Sequence, residues 1–268
     1  METETSVTSP ELIDAPARWT RLAALGLLLA GVAPLFMLVS GLLFGMDPGE
    51  EGPFFLITSA IGLVGAFLVW RFGTWSKIVG IVASVLVLGA LWWTVFGLFT
   101  PQSVFDFAPA LSVVPGGLVA LVSSIAALVA GRRGHRTLVA EGGERRGIRI
   151  LLTAVLGLAA ISAVLTFAGR STVDDPGDAT QVTLANFEFD SEDITVEGGG
   201  EVYVKNEDAF LHTFTIDDLE VDEELVGGSE KLVSIPTEPG TYVVYCRPHT
   251  MDPENPGEDD MAATITVE

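Results

Sequence analysis

The last third of the chain carries a small set of side chains able to hold a transition metal: His212, Cys246, His249 and two methionines, Met251 and Met261. Two imidazoles, one thiolate and a weak, long axial thioether form the donor set of a single copper ion in a near-trigonal plane. Thiolate and imidazole suit both oxidation states of copper, so a rigid site of this kind passes one electron with little rearrangement. Cys246 and His249 stand three positions apart in Cys-Arg-Pro-His, whereas His212 is distant in sequence. A lone cysteine allows no internal disulfide. It also excludes a four-cysteine zinc or iron–sulfur site and disfavours a binuclear copper centre. Zinc would leave the methionine without a role.

The elements that must bring these residues together are short strands. QVTLANFEF alternates Val182, Leu184, Phe187 and Phe189, with a slip near Asn186. DITVEGGG (193–200, a short strand and a Gly-rich turn), EVYVKNED (201–208), HTFTIDDL (212–219), KLVSI (231–235), TYVVYC (241–246) and MAATITVE (261–268) follow, with Gly- and Pro-rich turns such as PTEPG between them. Short β-branched and aromatic runs with this punctuation predict an all-β sandwich over 181–268, with a helix-like turn near 218–228 as its one exception. His212 opens one strand, Cys246 ends another and Met261 begins the last. Strand ends of a sandwich meet at one pole, and the distant donors are expected to converge there.

These residues also carry a resemblance. NEDAFLH at 206–212, the run Pro239-Gly-Thr-Tyr-Val-Val-Tyr-Cys246-Arg-Pro-His249, Met261 before AATITVE, Phe189 and Ile194-Thr-Val-Glu-Gly resemble the cupredoxin family, plastocyanins and halocyanins in particular. The resemblance spans about a third of the chain. It implies a Greek-key β-sandwich, one type 1 copper ion held by His212, Cys246, His249 and Met261, and electron transfer as the activity. It also puts Thr213 where such proteins steady the cysteine loop by a hydrogen bond. One departure stands out: eleven residues, TMDPENPGEDD, separate His249 from Met261, and they contain Met251 as a nearer candidate. Met261 abuts the closing strand and is favoured as the axial ligand.

The rest of the chain has a different composition. Residues 1–170 hold 10 acidic and 11 basic residues, a balance of +1, while 171–268 hold 25 acidic residues and only Lys205, Lys231 and Arg247, a balance of −22. Such a break separates lipid from water. Five apolar runs, near 22–45, 54–71, 78–99, 108–130 and 150–169, uncharged apart from Arg71 at an end, are each about long enough to cross a bilayer. The first is too long for the apolar region of a cleavable signal peptide and reads as a retained span. Val-Val-Pro-Gly-Gly at 113–117 is expected to kink or loosen the fourth. All basic residues but Arg170 fall in the tail and the alternate loops, which the positive-inside rule assigns to the cytoplasm. His135 lies in one of those loops, away from any intramembrane haem.

The expected organisation is a cytoplasmic tail (1–21), a five-span helical bundle (22–169), a polar linker (170–180) and the cupredoxin-like domain (181–268) outside a plasma membrane. An acidic surface excludes nucleic acid. The acid gives solubility and, secondarily, steering of basic redox partner proteins. No substrate chemistry is indicated, so the expectation is a single-electron carrier and not an enzyme. Copper storage, delivery or resistance is the alternative. His249, beside Pro248 and Phe210, is the expected exit edge for the electron.

Overall fold

The computed structural model describes residues 12–46, 49, 51–133, 138–257 and 260–268. His135, most of the tail, and Glu258 and Asp259 of the acidic loop lie outside the described residues. The chain divides into two compact units, one of helix segments up to Leu35, Phe54–Trp92 and Leu111–Leu158, the other of Phe36–Pro53, Trp93–Ala110 and Ala159–Glu268.

A short strand β1 (Leu12–Asp14) pairs antiparallel with β2 (Leu138–Ala140). The apolar runs form α1 (Ala15–Leu43), α2 (Glu51–Arg71), α3 (Ser76–Ala90), α4 (Val104–Arg133) and α5 (Glu141–Ala168). A helix satisfies its own backbone, which lipid cannot do for it. Among the described residues, α1, α2, α4 and α5 are long and apolar enough to cross a membrane; α3 joins a 3-10 helix, Trp92–Phe99, at a bend of 62°, and the pair counts as a fifth span if taken together. The break comes at Leu91, which leaves the helix at φ −109° and ψ 27°. The bulky and β-branched residues that follow, Trp92 to Val95, lose rotamer freedom against a preceding helical turn, which weakens the helix there.

In the first unit the helices meet through small residues. A Cβ on Gly26 would lie 2.4 Å from Gly116 O, and one on Gly62 would lie 2.5 Å from Gly31 Cα. Ser59 Oγ donates to Gly31 O at 2.6 Å. The Pro-Gly-Gly stretch therefore serves as a close crossing of α1 and α4, and α4 runs unbroken through it. Large apolar side chains such as Val64, Phe67, Val85 and Val122 are exposed. A bundle with small residues inside and apolar surface outside suits lipid, where close van der Waals packing replaces the hydrophobic effect.

In the second unit the pattern inverts. One sheet has the order β5–β11–β10–β7–β8 and the other β4–β3–β6–β9. Their strands are β3 (Thr180–Ala185), β4 (Glu188–Phe189), β5 (Asp193–Val196), β6 (Glu201–Asn206), β7 (His212–Ile216), β8 (Val221–Leu225), β9 (Glu230–Ser234), β10 (Gly240–Tyr245) and β11 (Ala262–Val267). Alternate residues, among them Val182, Leu184, Ile194, Val202, Val204, Phe214, Val244 and Ile265, point into one core. The expected helix-like turn is a 3-10 turn, Asp217–Leu219, followed at once by strand β8. The sequence EVDEEL hides that strand, because Val221 and Leu225 are buried at a four-residue spacing that fits a helix equally well.

Candidate metal centre

Three strand ends supply the donors. β7 is antiparallel to β10, and β10 to β11. The start of β7, the end of β10 and the start of β11 therefore lie at one edge, where the structure puts His212, Cys246 and Met261. His249 ends a 3-10 turn, Arg247–His249, that leaves β10 directly.

Cys246 Sγ lies 3.5 Å from His212 Nδ1 and 3.2 Å from His249 Nδ1, and the two Nδ1 atoms are 3.1 Å apart. Donors each about 2.0–2.3 Å from a trigonal metal are separated by roughly 3.5 Å, so the triangle fits one ion. The second nitrogen of His212 is already engaged: Nε2 lies 2.8 Å from Asp208 Oδ2. That contact turns Nδ1 toward the sulfur. Cys246 and His212 are fully buried, and His249 is half-buried.

Met261 is buried in the core beside Cys246, whereas Met251 is 87% exposed. Met261 also closes the neck of the long insertion. Its carbonyl accepts from Cys246 N and from Thr250 Oγ1, both at 2.9 Å, and its N–H donates to His249 O at 3.2 Å. The inserted residues thus leave at Thr250 and return at Met261 without parting the ligand turn from the last strand. Asp260 ties the loop to itself by accepting from Met251 N and Gly257 N.

Residues from several other segments support the donors. Asn186 and Phe187 both have positive φ, 55° and 62°. The slip expected near Asn186 is this left-handed turn between β3 and β4. Two non-glycine residues in that region are strained, and Asp208 steadies them by accepting from both backbone N–H groups at 2.7 and 2.9 Å. The turn places the Phe187 ring edge-on to both His212 and His249, with centroids 5.5 and 4.9 Å away. Asn206 holds the same segment from the other side, donating to Phe210 O and Leu225 O. Gly227 makes room for it, since a Cβ there would lie 2.2 Å from Ala209 O. Thr213, singled out in the sequence, donates its N–H to Cys246 Sγ at 3.4 Å, and its hydroxyl accepts from Arg247 N at 2.8 Å.

The electrostatics are unequal across the pair of imidazoles. Burial works against a charge on His212, but the Asp208 hydrogen bond and Cys246 outweigh it and push its pKa up to about 9. Burial and the neighbouring charge of His212 push His249 down to about 3. Asp208 itself lies below its usual range: burial opposes this, and the bonds to His212, Phe187 and Asn186 prevail.

Residues 157–258 match the family model of the cupredoxin-like domain, a span that includes His212, Cys246 and His249 and stops short of Met261. Among curated proteins nothing matches the chain. Solved structures similar to it include amicyanin from Paracoccus versutus, 21% identical over 37% of this chain and 90% of that one, TM-score 0.29. Others are a purple cupredoxin from Nitrosopumilus maritimus, 18% identical over 33% and 99%, TM-score 0.27, and a copper-containing nitrite reductase from Thermus scotoductus, 21% identical over 38% and 26%, TM-score 0.27. The assignment of the C-terminal domain rests on the family match together with the geometry of its donors.

Proposed function

With a C-terminal cupredoxin-like domain as the premise, we propose that this protein is a membrane-anchored type 1 copper protein that transfers single electrons at the outer face of a plasma membrane. The observation that carries the reading is the buried triangle of Cys246 Sγ and two inward-facing Nδ1 atoms at 3.1–3.5 Å. His212, Cys246 and His249, with Met261 buried at the closing strand, would hold the copper ion. A copper ion held there supplies a one-electron couple, Cu(II)/Cu(I).

The chain's own residues do the rest. Thr213 N–H and the fully buried sulfur keep water away from the thiolate and hold it in one orientation. Asp208 fixes His212 from behind. The half-buried His249, next to the exposed Pro248, is the ligand nearest solvent and the exit edge for the electron. Phe210 is buried, so the ring that packs on His249 is Phe187. The basic residues near the spans support a cytoplasmic N-terminus, with the copper domain outside. Its acidic surface favours basic redox partners.

Rapid mixing of the copper-loaded full-length protein with a one-electron donor tests this reading against copper delivery. The carrier reading expects electron exchange far faster than the loss of copper to a chelator. Slow exchange with rapid copper release would replace it with delivery.

A further inference from the structure

The segment that presents His212 is held by side chains of the sandwich and by one from outside it. Asn206 and Asp208 hold residues 206–210, but the N–H of Leu211, the buried residue next to His212, donates to Asp106 Oδ2 at 2.9 Å. Asp106 does not belong to the sandwich. It stands in the first turn of α4, a helix long and apolar enough to cross a membrane. The apolar run expected near 108–130 begins earlier as a helix, at Val104.

Asp106 is held on several sides. The fully buried Ser103 donates its hydroxyl to the same carboxylate oxygen. Val104 N donates to Thr166 Oγ1 of α5 at 2.7 Å. Phe105 packs on Phe36 and Phe44 of the α1 end, with centroids 6.0 and 5.1 Å away. Gly97 lies so close that a Cβ on it would sit 2.4 Å from Asp106 O. All of these residues fall in the same compact unit as the sandwich.

We propose that Asp106 is a positioning residue for the metal ligand His212, so that the ends of the membrane helices are part of the metal centre's scaffold. A buried N–H keeps its place only if its acceptor does. Leu211 N–H follows Asp106, and the imidazole begins one residue later. A single span would tether the domain. Three helix ends hold this carboxylate still, which a single span does not. The inference rests on the copper reading above.

The test uses the full-length protein in detergent. Copper affinity by chelator competition, the visible spectrum and the paramagnetic resonance spectrum of Cu(II) are measured for wild type, Asp106→Leu, Asp106→Asn and Gln102→Ala. Residues that orient a metal's ligands typically change affinity by about 10–100-fold. Asp106→Leu is expected to weaken copper binding by about that factor and to alter the copper spectra. Asp106→Asn keeps an acceptor for Leu211 and is expected to restore the affinity and the copper geometry. Gln102→Ala removes a contact to Glu224, a strand away from the ligands, and leaves both unchanged. If Asp106→Leu does not fold, Ser103→Ala, which frees the carboxylate, is expected to give a smaller change of the same kind. Wild-type copper spectra and affinity in Asp106→Leu, or in Ser103→Ala where it stands in, would overturn the proposal while leaving the copper reading intact. A wild-type protein that takes no copper would instead overturn the copper reading itself.

Discussion

The two segments that carry the histidines are built differently. Apart from the exposed Glu207, residues 206–212 are buried and clamped: Asn206 and Asp106 take up backbone groups, Asp208 holds the His212 ring, and a tight Gly227 contact backs them. Residues 246–261 hold a two-residue turn before a half-buried histidine, and an acidic, mostly exposed insertion follows it. The clamped side also bears the charge, with His212 pushed up to about 9 and His249 down to about 3. The contrast suggests a division of labour. One ligand is fixed before any metal arrives, and the other sits where an electron can leave.

The sharpest way to break that contrast is to remove the donor both segments share. Cys246→Ser is expected to abolish the blue colour and most of the copper affinity, read by visible absorption after Cu(II) addition; unchanged colour would refute the ligand assignment. Next come the methionines. Met261→Ala opens a cavity in the core and is expected to cost about 2–5 kcal/mol of stability and to shift the reduction potential. Met251→Ala, at an exposed side chain, should change neither. Thermal unfolding and voltammetry of the two variants decide between them, and a shift in Met251→Ala alone would reverse the axial assignment.

Asp208→Asn sharpens the comparison on the clamped side. It weakens the hold on His212 and on the Asn186–Phe187 turn together, and it is expected to reduce copper affinity by about 10–100-fold. His249→Asn, on the open side, should leave that turn in place. Amide exchange at Asn186 and Phe187 separates the two. The same asymmetry sets a pH dependence. In the metal-free protein His212 is protonated at neutral pH, and copper must displace that proton. Affinity should therefore rise with pH up to about 9 and then level off. The raised pKa stabilises the metal-free fold below pH 6.5, and that contribution is lost as pH rises through about 9. Copper titrations across this range check the slope, and a flat profile between pH 7 and 9 would contradict it. The smallest effect belongs to Arg247→Ala. Its bridges to Asp217 and Asp222, at 3.0 and 3.5 Å, are exposed, and such pairs contribute at most about 1 kcal/mol. Thermal unfolding should barely move.

Much of the metal centre was legible in the sequence because its donors are rare and their types are specific. Two histidines and one cysteine at strand ends leave few arrangements. The apolar runs were equally plain, since lipid demands long uncharged stretches. What was hidden depends on distance in sequence. Asp208 reads as one more acid in an acidic domain until the fold brings it to Asn186, Phe187 and His212 at once. Phe187 looks like an ordinary strand residue, and only a left-handed turn aims it at both imidazoles. β8 was obscured because Val221 and Leu225 fit either periodicity. Asp106 lay more than a hundred residues from the strand it supports, and no local pattern announces a contact of that range.

The most direct test is a titration of the purified full-length protein with Cu(II), followed by visible absorption and then by reduction. The account predicts an intense blue colour that saturates at one copper per chain and bleaches when one electron per copper is added. A colourless complex, or colour that persists in Cys246→Ser, would contradict it.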